Sequence, residues 1–344
     1  MKRAILFYSG LLLLVGAMAA AAYALSMQSA WESAGFTKYV AVGKFIDAGG
    51  GRRLRVHCQG LGKPGVVLEA SGLGGAEQYA ELLPELSRYT RVCAYDRAGM
   101  GYSEARKTDA TLSGFTDDLV LAAKEAGPPP WILVGGSYGG VVVQAYARQH
   151  PENVGALVLL DAVVPEAFEV MQGPWSALDG TLRKATVAAP LGLLRQKDPL
   201  KLGDTRDGWL TYKSSTWAAA RELVSTRAEA KALFASTPPL PADLPLRVLR
   251  HTRVGDMMGP DFPLEESEKL EPQWQKVQEK AAAQSSQGKL VAVDGAGHLI
   301  VHDAMQTVKD NIIEVMHPAA ERADKLAPPP DAGTPDAGTP DAGT

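Results

Sequence analysis

The stretch with the most chemical content is Trp131-Ile-Leu-Val-Gly-Gly-Ser137-Tyr-Gly-Gly-Val-Val-Val-Gln-Ala145. An apolar run reads as a buried strand, and a second run of apolar and small residues reads as a helix that Pro151 stops. Between them Gly135, Ser137 and Gly139 form G-x-S-x-G. A strand that turns straight into a helix forces the apex residue outward on a strained backbone, with the helix N-terminus behind it. Side chains two positions either side of the apex would clash there, and glycine removes the clash. Ser137 is therefore the candidate nucleophile. A hydroxyl needs a base to take its proton and a third group to orient that base. The pentapeptide alone also fits a βα turn that only packs, or one that cradles a phosphate, so the rest of the chain must decide.

Eight strands can be read around that turn. They are Tyr39–Ile46, Arg53–Cys58, Val66–Ala70, Arg91–Tyr95, the elbow strand from Trp131, Ala156–Leu160, Leu246–His251 and Lys289–Val293. Asp47-Ala-Gly-Gly-Gly51 joins the first two as a hairpin. Helical patterns over Glu77–Arg88, Leu112–Glu125, residues 264–284 and Val308–Met316 alternate with the later strands. That alternation implies an α/β class, a mostly parallel sheet with helices on both faces. Residues 165–244 break the pattern with helical pieces separated by Pro and Gly and carrying Trp175, Trp209 and Trp217. A segment of that length between two strands is too long for a simple crossover, and it reads as an inserted helical cap.

Three loops occur in a telling order: Ser71-Gly72-Leu73-Gly74-Gly75, then Asp96-Arg97-x-Gly99-x-Gly101-x-Ser103, then Gly135-x-Ser137-x-Gly139. In that order they resemble the α/β-hydrolase family over roughly Gly50 to His317. The resemblance implies the α/β-hydrolase fold, an eight-stranded sheet with a helical cap. It implies backbone N–H donors from Leu73 and Tyr138 that form an oxyanion hole, with Gly72 shaping the first loop. Two fixed donors of this kind stabilise a tetrahedral oxyanion. The family often has His-Gly where this chain has Ser71-Gly72, and a histidine where it has Gly136; neither departure removes a backbone donor. The Asp96–Ser103 loop is expected to support the site and to take no part in bond breaking. The family keeps its base in a Gly-His after the last strand, here Gly297-His298. The other five histidines, His57, His150, His251, His302 and His317, take structural readings. Two aspartates qualify as the orienting acid. Asp256 follows the strand after the cap, but lies 42 residues before His298. Asp161 ends the strand before the cap. Relatives sharing the Tyr-Asp-Arg-Ala-Gly loop and a Trp-Gln helix, here Trp274-Gln275, point to Asp161, with Asp256 as the alternative. Epoxide hydrolases and dehalogenases of this fold use aspartate where Ser137 stands.

The expected reaction is cleavage of a carboxylic ester or similar acyl bond of a small-molecule substrate, with no cofactor and no metal. A proline iminopeptidase-like aminopeptidase and a non-catalytic ligand receptor of the same fold are the rival readings. Composition is consistent: 344 residues with 46% hydrophobic content support a large core, and a net charge of -4 offers no basic field for nucleic acid. Cys58 and Cys93, the two cysteines, lack zinc-site spacing. They sit on strands that neighbour each other in this fold, as a disulfide or as two buried thiols. Residues 1–35 read as a membrane anchor or a signal peptide: Lys2 and Arg3 precede Ala4–Trp31, which holds no charged residue. The anchor reading is preferred, with the remainder outside the cytoplasm; Ala22-Tyr-Ala24 offers the cleavage alternative. The core is then 36–164 plus 245–325. Residues 326–344, with Pro-Asp-Ala-Gly-Thr three times over, cannot build a core and are expected to be a disordered tail.

Overall fold

The computed structural model describes residues 2–255 and 264–326. Eight strands form one sheet: β1 (Lys44–Asp47), β2 (Arg53–Gln59), β3 (Val66–Glu69), β4 (Val92–Tyr95), β5 (Trp131–Gly136), β6 (Val154–Leu160), β7 (Leu246–His251) and β8 (Gly288–Val293). Their spatial order is β1-β2-β4-β3-β5-β6-β7-β8. β2 pairs antiparallel with β1 and β4, and the remaining pairs are parallel. The central strands β3, β5 and β6 are buried at every position, as strands covered on both faces must be. Two apolar layers flank the sheet. One gathers Leu133, Val142, Leu157 and Trp274, the other Val134, Val158, Leu249 and Ile312.

Thirteen helices accompany the sheet among the described residues: α1 (Lys2–Lys38), α2 (Leu82–Leu86), α3 (Leu112–Lys124), α4 (Gly139–Gln149), α5 (Ala167–Val170), α6 (Gln172–Ala188), α7 (Leu193–Lys197), α8 (Arg206–Thr211), α9 (Ser214–Ser225), α10 (Arg227–Ser236), α11 (Leu264–Ala282), α12 (Ile300–Asp303) and α13 (Met305–Leu326). α5 to α10 lie between β6 and β7, in the segment read as a cap. Two expectations are corrected. The strand expected from Tyr39 starts only at Lys44, because α1 runs on to Lys38. The helix expected over Glu77–Arg88 divides into a 3₁₀ turn, Ala76–Tyr79, and the short α2. Proline removes a helical N–H, and Pro84 sits inside the first turn of α2, where that loss is tolerated. Val308–Met316 belongs to the closing helix, which continues through Pro318 to Leu326.

Cys58 and Cys93 are directly opposed across β2 and β4 and are joined by a disulfide. α1 is the one helix among the described residues long and apolar enough to cross a membrane. Its last third is docked. Gln28 is 2% exposed, and its amide donates to the Tyr212 carbonyl at 3.0 Å. Trp209 Nε1 donates to the Glu32 carbonyl at 3.2 Å. Its indole lies where a Cβ on Gly35 would come within 1.8 Å of Cδ1, so only glycine fits there. Asp256 and residues 327–344 lie outside the described residues.

Candidate active site

Successive strand ends assemble the site. Ser137 follows β5, Asp161 follows β6, His251 ends β7 and His298 lies in the loop after β8. These are the carboxyl ends of four adjacent parallel strands, where α/β sheets form their crevices.

Ser137 is held at φ +47°, a region disfavoured for any residue with a Cβ. The sheet fixes this strain in place. The Ser137 N–H donates to the Leu160 carbonyl at 3.0 Å, and the Ser137 carbonyl accepts from Gly140 N at 3.0 Å and Val163 N at 2.9 Å. The flanking glycines are required sterically. A Cβ on Gly135 would lie 2.5 Å from Val143 Cγ2, and one on Gly139 would lie 2.2 Å from the Ala70 carbonyl oxygen.

His298 Nε2 lies 2.8 Å from Ser137 Oγ, and His298 Nδ1 lies 2.6 Å from Asp161 Oδ2. Asp161 is fully buried at φ +44°, with its own N–H donating to the Leu249 carbonyl at 2.7 Å. Burial by itself pushes the Asp161 carboxyl up; hydrogen bonds from His251 and His298 outweigh burial and hold it below the usual carboxylate range. An ionised Asp161 accepts only. His298 therefore donates through Nδ1 and presents Nε2 as an acceptor to the Ser137 hydroxyl. This arrangement can remove the hydroxyl proton and stabilise the imidazolium that results.

The loop after β3 stands beside the elbow: a Cβ on Gly72 would lie 3.9 Å from Tyr138 Cβ. Among the described residues neither the Leu73 nor the Tyr138 backbone N–H has a hydrogen-bond acceptor. The loop is held from behind. Buried Arg97 donates to the carbonyls of Ala70 at 2.7 Å and Gly74 at 3.1 Å and pairs with Glu69, while Asp96 Oδ1 accepts from Ala76 N at 2.8 Å. Asp96 and Arg97 are thus supports of the loop, the role expected of them. Tyr138 turns its ring under the inserted helices and meets Trp175 edge-on at 6.1 Å.

Sequence reasoning missed half of the network around the acid. His251, set among the structural histidines, is 1% exposed and sits against Asp161. Its Nδ1 lies 2.6 Å from Asp161 Oδ2, and its Nε2 lies 2.9 Å from Glu271 Oε2. Trp274 Nε1 donates to Asp161 Oδ1 at 2.9 Å, and Gln278 Nε2 donates to the Ala162 carbonyl at 2.8 Å. Glu271, Trp274 and Gln278 stand at i, i+3 and i+7 on α11, hence on one face. The signal was legible: polar residues at those spacings on the buried face of an amphipathic helix need buried partners. Asp161, His251 and His298 also offer ligand atoms within 4.8 Å of one another. Both Nδ1 atoms already lie at hydrogen-bond distance from the same carboxylate oxygen, so this donor set is spent on itself and does not fit a metal ion.

The topology and the elbow define the α/β-hydrolase class. A model of the alpha/beta hydrolase family matches residues 56–310, and the chain belongs to that family. Among curated proteins, 2-hydroxy-6-oxo-2,4-heptadienoate hydrolase of Pseudomonas putida is 33% identical over 142 residues, covering 38% of this chain and 48% of that one. Proline iminopeptidase of Xylella fastidiosa is 32% identical over 124 residues, covering 36% and 38%. The matched stretches thus span less than half the length of these two relatives. The fold is shared with the enol-lactonase from Burkholderia xenovorans LB400, at a TM-score of 0.53 and 20% identity, over 80% of this chain and all of the other.

Proposed function

We propose that this protein is a serine hydrolase that cleaves a carboxylic ester or similar acyl bond through an acyl-enzyme intermediate. The observation that carries the reading is the chain Ser137 Oγ–His298 Nε2 at 2.8 Å and His298 Nδ1–Asp161 Oδ2 at 2.6 Å. Ser137 attacks the carbonyl while His298 takes its proton. The oxyanion forms against the N–H groups of Leu73 and Tyr138. His298 then protonates the leaving group, and a water repeats the sequence to release the acid. Asp161 keeps the imidazole in the required tautomer, and the contact to Trp274 supports Asp161 in this role. Residues 165–244 act as the cap that selects substrate, a reading supported by the packing of Trp175 on Tyr138. The apolar α1 serves as a membrane anchor, with the catalytic part outside the cytoplasm; the Cys58–Cys93 disulfide supports an oxidising location.

The aminopeptidase reading has one specific observation in its favour, the proline iminopeptidase match. Turnover of p-nitrophenyl esters and of a prolyl amide by the purified chain separates the two. Ester turnover that collapses in Ser137→Ala, His298→Ala and Asp161→Asn but survives in Asp256→Asn is the expected result. Prolyl-amide turnover with no ester turnover would move the assignment to the peptidase. Equal, small losses in the two aspartate variants would remove Asp161 from its role.

A further inference from the structure

Asp161 carries more than one histidine. Its Oδ2 faces two imidazoles, His298 Nδ1 and His251 Nδ1, each at 2.6 Å. The far side of His251 is closed by Glu271 at 2.9 Å, and Glu271 is steadied by Gln275 Nε2 at 2.8 Å. The His251 backbone N–H adds a 3.3 Å contact to Asp161 Oδ1. A carboxylate at each ring nitrogen requires both nitrogens to donate, which is the imidazolium form. The charged and titratable groups around His251 are Asp161 from the end of β6, Glu271 from α11, His298 from the loop after β8, and Arg250, whose guanidinium donates to the His251 carbonyl at 2.9 Å.

We propose that His251 is a positioning residue of the active site: a resident imidazolium that, braced by Glu271, fixes the Asp161 carboxylate and sets the charge that His298 works against. The proposal rests on the Ser137–His298–Asp161 reading. Asp161 and Glu271 as carboxylates with a neutral bridge would leave two negative charges in one buried network, Asp161 directly on His298 and Glu271 one ring further away. An imidazole already carrying a proton on Nε2 cannot accept the serine proton, so excess negative charge in this network works against the base. A protonated His251 reduces the sum to one negative charge, matching the single positive charge that appears on His298 when Ser137 attacks. It also gives Asp161 Oδ2 a second donor, so the oxygen that His298 needs is held in place before substrate arrives. Burial opposes a charge on His251, but the two carboxylates prevail and raise it from 6.5 to about 10.

Two measurements test this on the full chain. The first is the pH profile of kcat/KM for a p-nitrophenyl ester in wild type and His251→Asn, which keeps a donor for Asp161 but no charge. The acidic limb is expected to move to higher pH by about one unit, since a unit charge within a few ångströms acts strongly at a buried site. A lower kcat with an unmoved acidic limb would reduce His251 to packing and overturn the proposal. The second needs no folded variant: nitrogen-15 shifts of the histidine rings in wild type. His251 is expected to show two imidazolium-type nitrogens from pH 6 to 9, and a neutral tautomer at pH 7.5 would overturn the proposal. Ser137→Ala provides the separate arm. Ester turnover that persists in Ser137→Ala defeats the catalytic reading itself, whereas loss in Ser137→Ala with a neutral His251 defeats only this inference.

Discussion

The Asp161 carboxylate sits among several donors at once. It accepts from His298, His251 and Trp274 side chains and from a backbone N–H, all within 3.3 Å. Removing one such donor from a buried carboxylate strands part of its charge, at a cost of about 1.5–3 kcal/mol for a bond to a charged group. Trp274→Phe is therefore expected to lower kcat by about tenfold or more, with KM little changed, since the indole is buried against the acid. Asp161→Asn should lower kcat far more, on the order of 10⁴-fold, because the amide stabilises the wrong tautomer of His298. Steady-state kinetics check both, and a larger loss from Trp274→Phe than from Asp161→Asn would contradict this order. The same residues give the fold its pH window. His251 is raised to about 10, so its contribution to stability is complete below its unfolded value of 6.5 and is lost as pH rises through about 10. Asp161 is depressed, so its contribution is present above its unfolded value of 3.8 and is lost as pH falls below it. Thermal unfolding midpoints should fall on both sides of that window, and His251→Asn should flatten the alkaline fall.

At the scale of elements, four consecutive strand ends and one helix face make the site. The ends of β5, β6 and β8 were legible because apolar runs that end in Gly or are followed by Asp are local signals, and β7, with its alternating Leu, Arg and Val, falls where the sequence places it, Leu246–His251. The Ser137 turn was legible for the same reason, since G-x-S-x-G is a steric requirement written in adjacent residues. The contribution of α11 was read only in part: Trp274 entered through the family resemblance, and the polar spacing that includes Glu271 signals a need for buried partners, but which partners these are emerges only once β6 and β7 bring Asp161 and His251 beneath the helix. The ambiguity between Asp161 and Asp256 had the same origin, as spacing along the chain does not state which strand end lies beside His298. The union of α1 with the inserted helices was also hidden. α9 has no side-chain cap of its own; Glu32 Oε1 accepts instead from Ser214 N at 2.8 Å and Ser214 Oγ at 2.6 Å. Losing a helix cap costs about 1 kcal/mol. Glu32→Ala is expected to lower stability by about that amount and to open the segment around Lys213 to limited proteolysis, with the cuts confined to α8 and α9. An unchanged digestion pattern would mean that the docked stretch does not brace those helices.

For the whole molecule, the question is how a long apolar helix and a hydrolase domain are joined. At about 1.5 Å per residue, Ala4–Leu25 is long enough for a hydrocarbon core of roughly 30 Å. The helix then continues without a break into the docked stretch, with Lys38 paired to Asp204 at 2.8 Å and the Tyr39 hydroxyl on the Asp204 carbonyl at 2.6 Å. The anchor reading makes a direct prediction from this continuity. The full chain should stay with membranes through alkaline carbonate washing. A chain lacking residues 1–27 should become soluble and keep its ester activity, because Gln28–Tyr39 still completes the fold. Removing residues 1–39 should instead lower the unfolding temperature as well. Release of the full chain by carbonate would exclude an integral anchor.

The central claim is that Ser137 is an activated nucleophile, and covalent capture tests it most directly. Treating the full chain with a fluorophosphonate and measuring intact mass and peptides should give one adduct, on the Ser137 hydroxyl, absent in Ser137→Ala and strongly slowed in His298→Ala. An adduct that persists in Ser137→Ala, or a wild-type chain that never reacts while folded, would contradict the account.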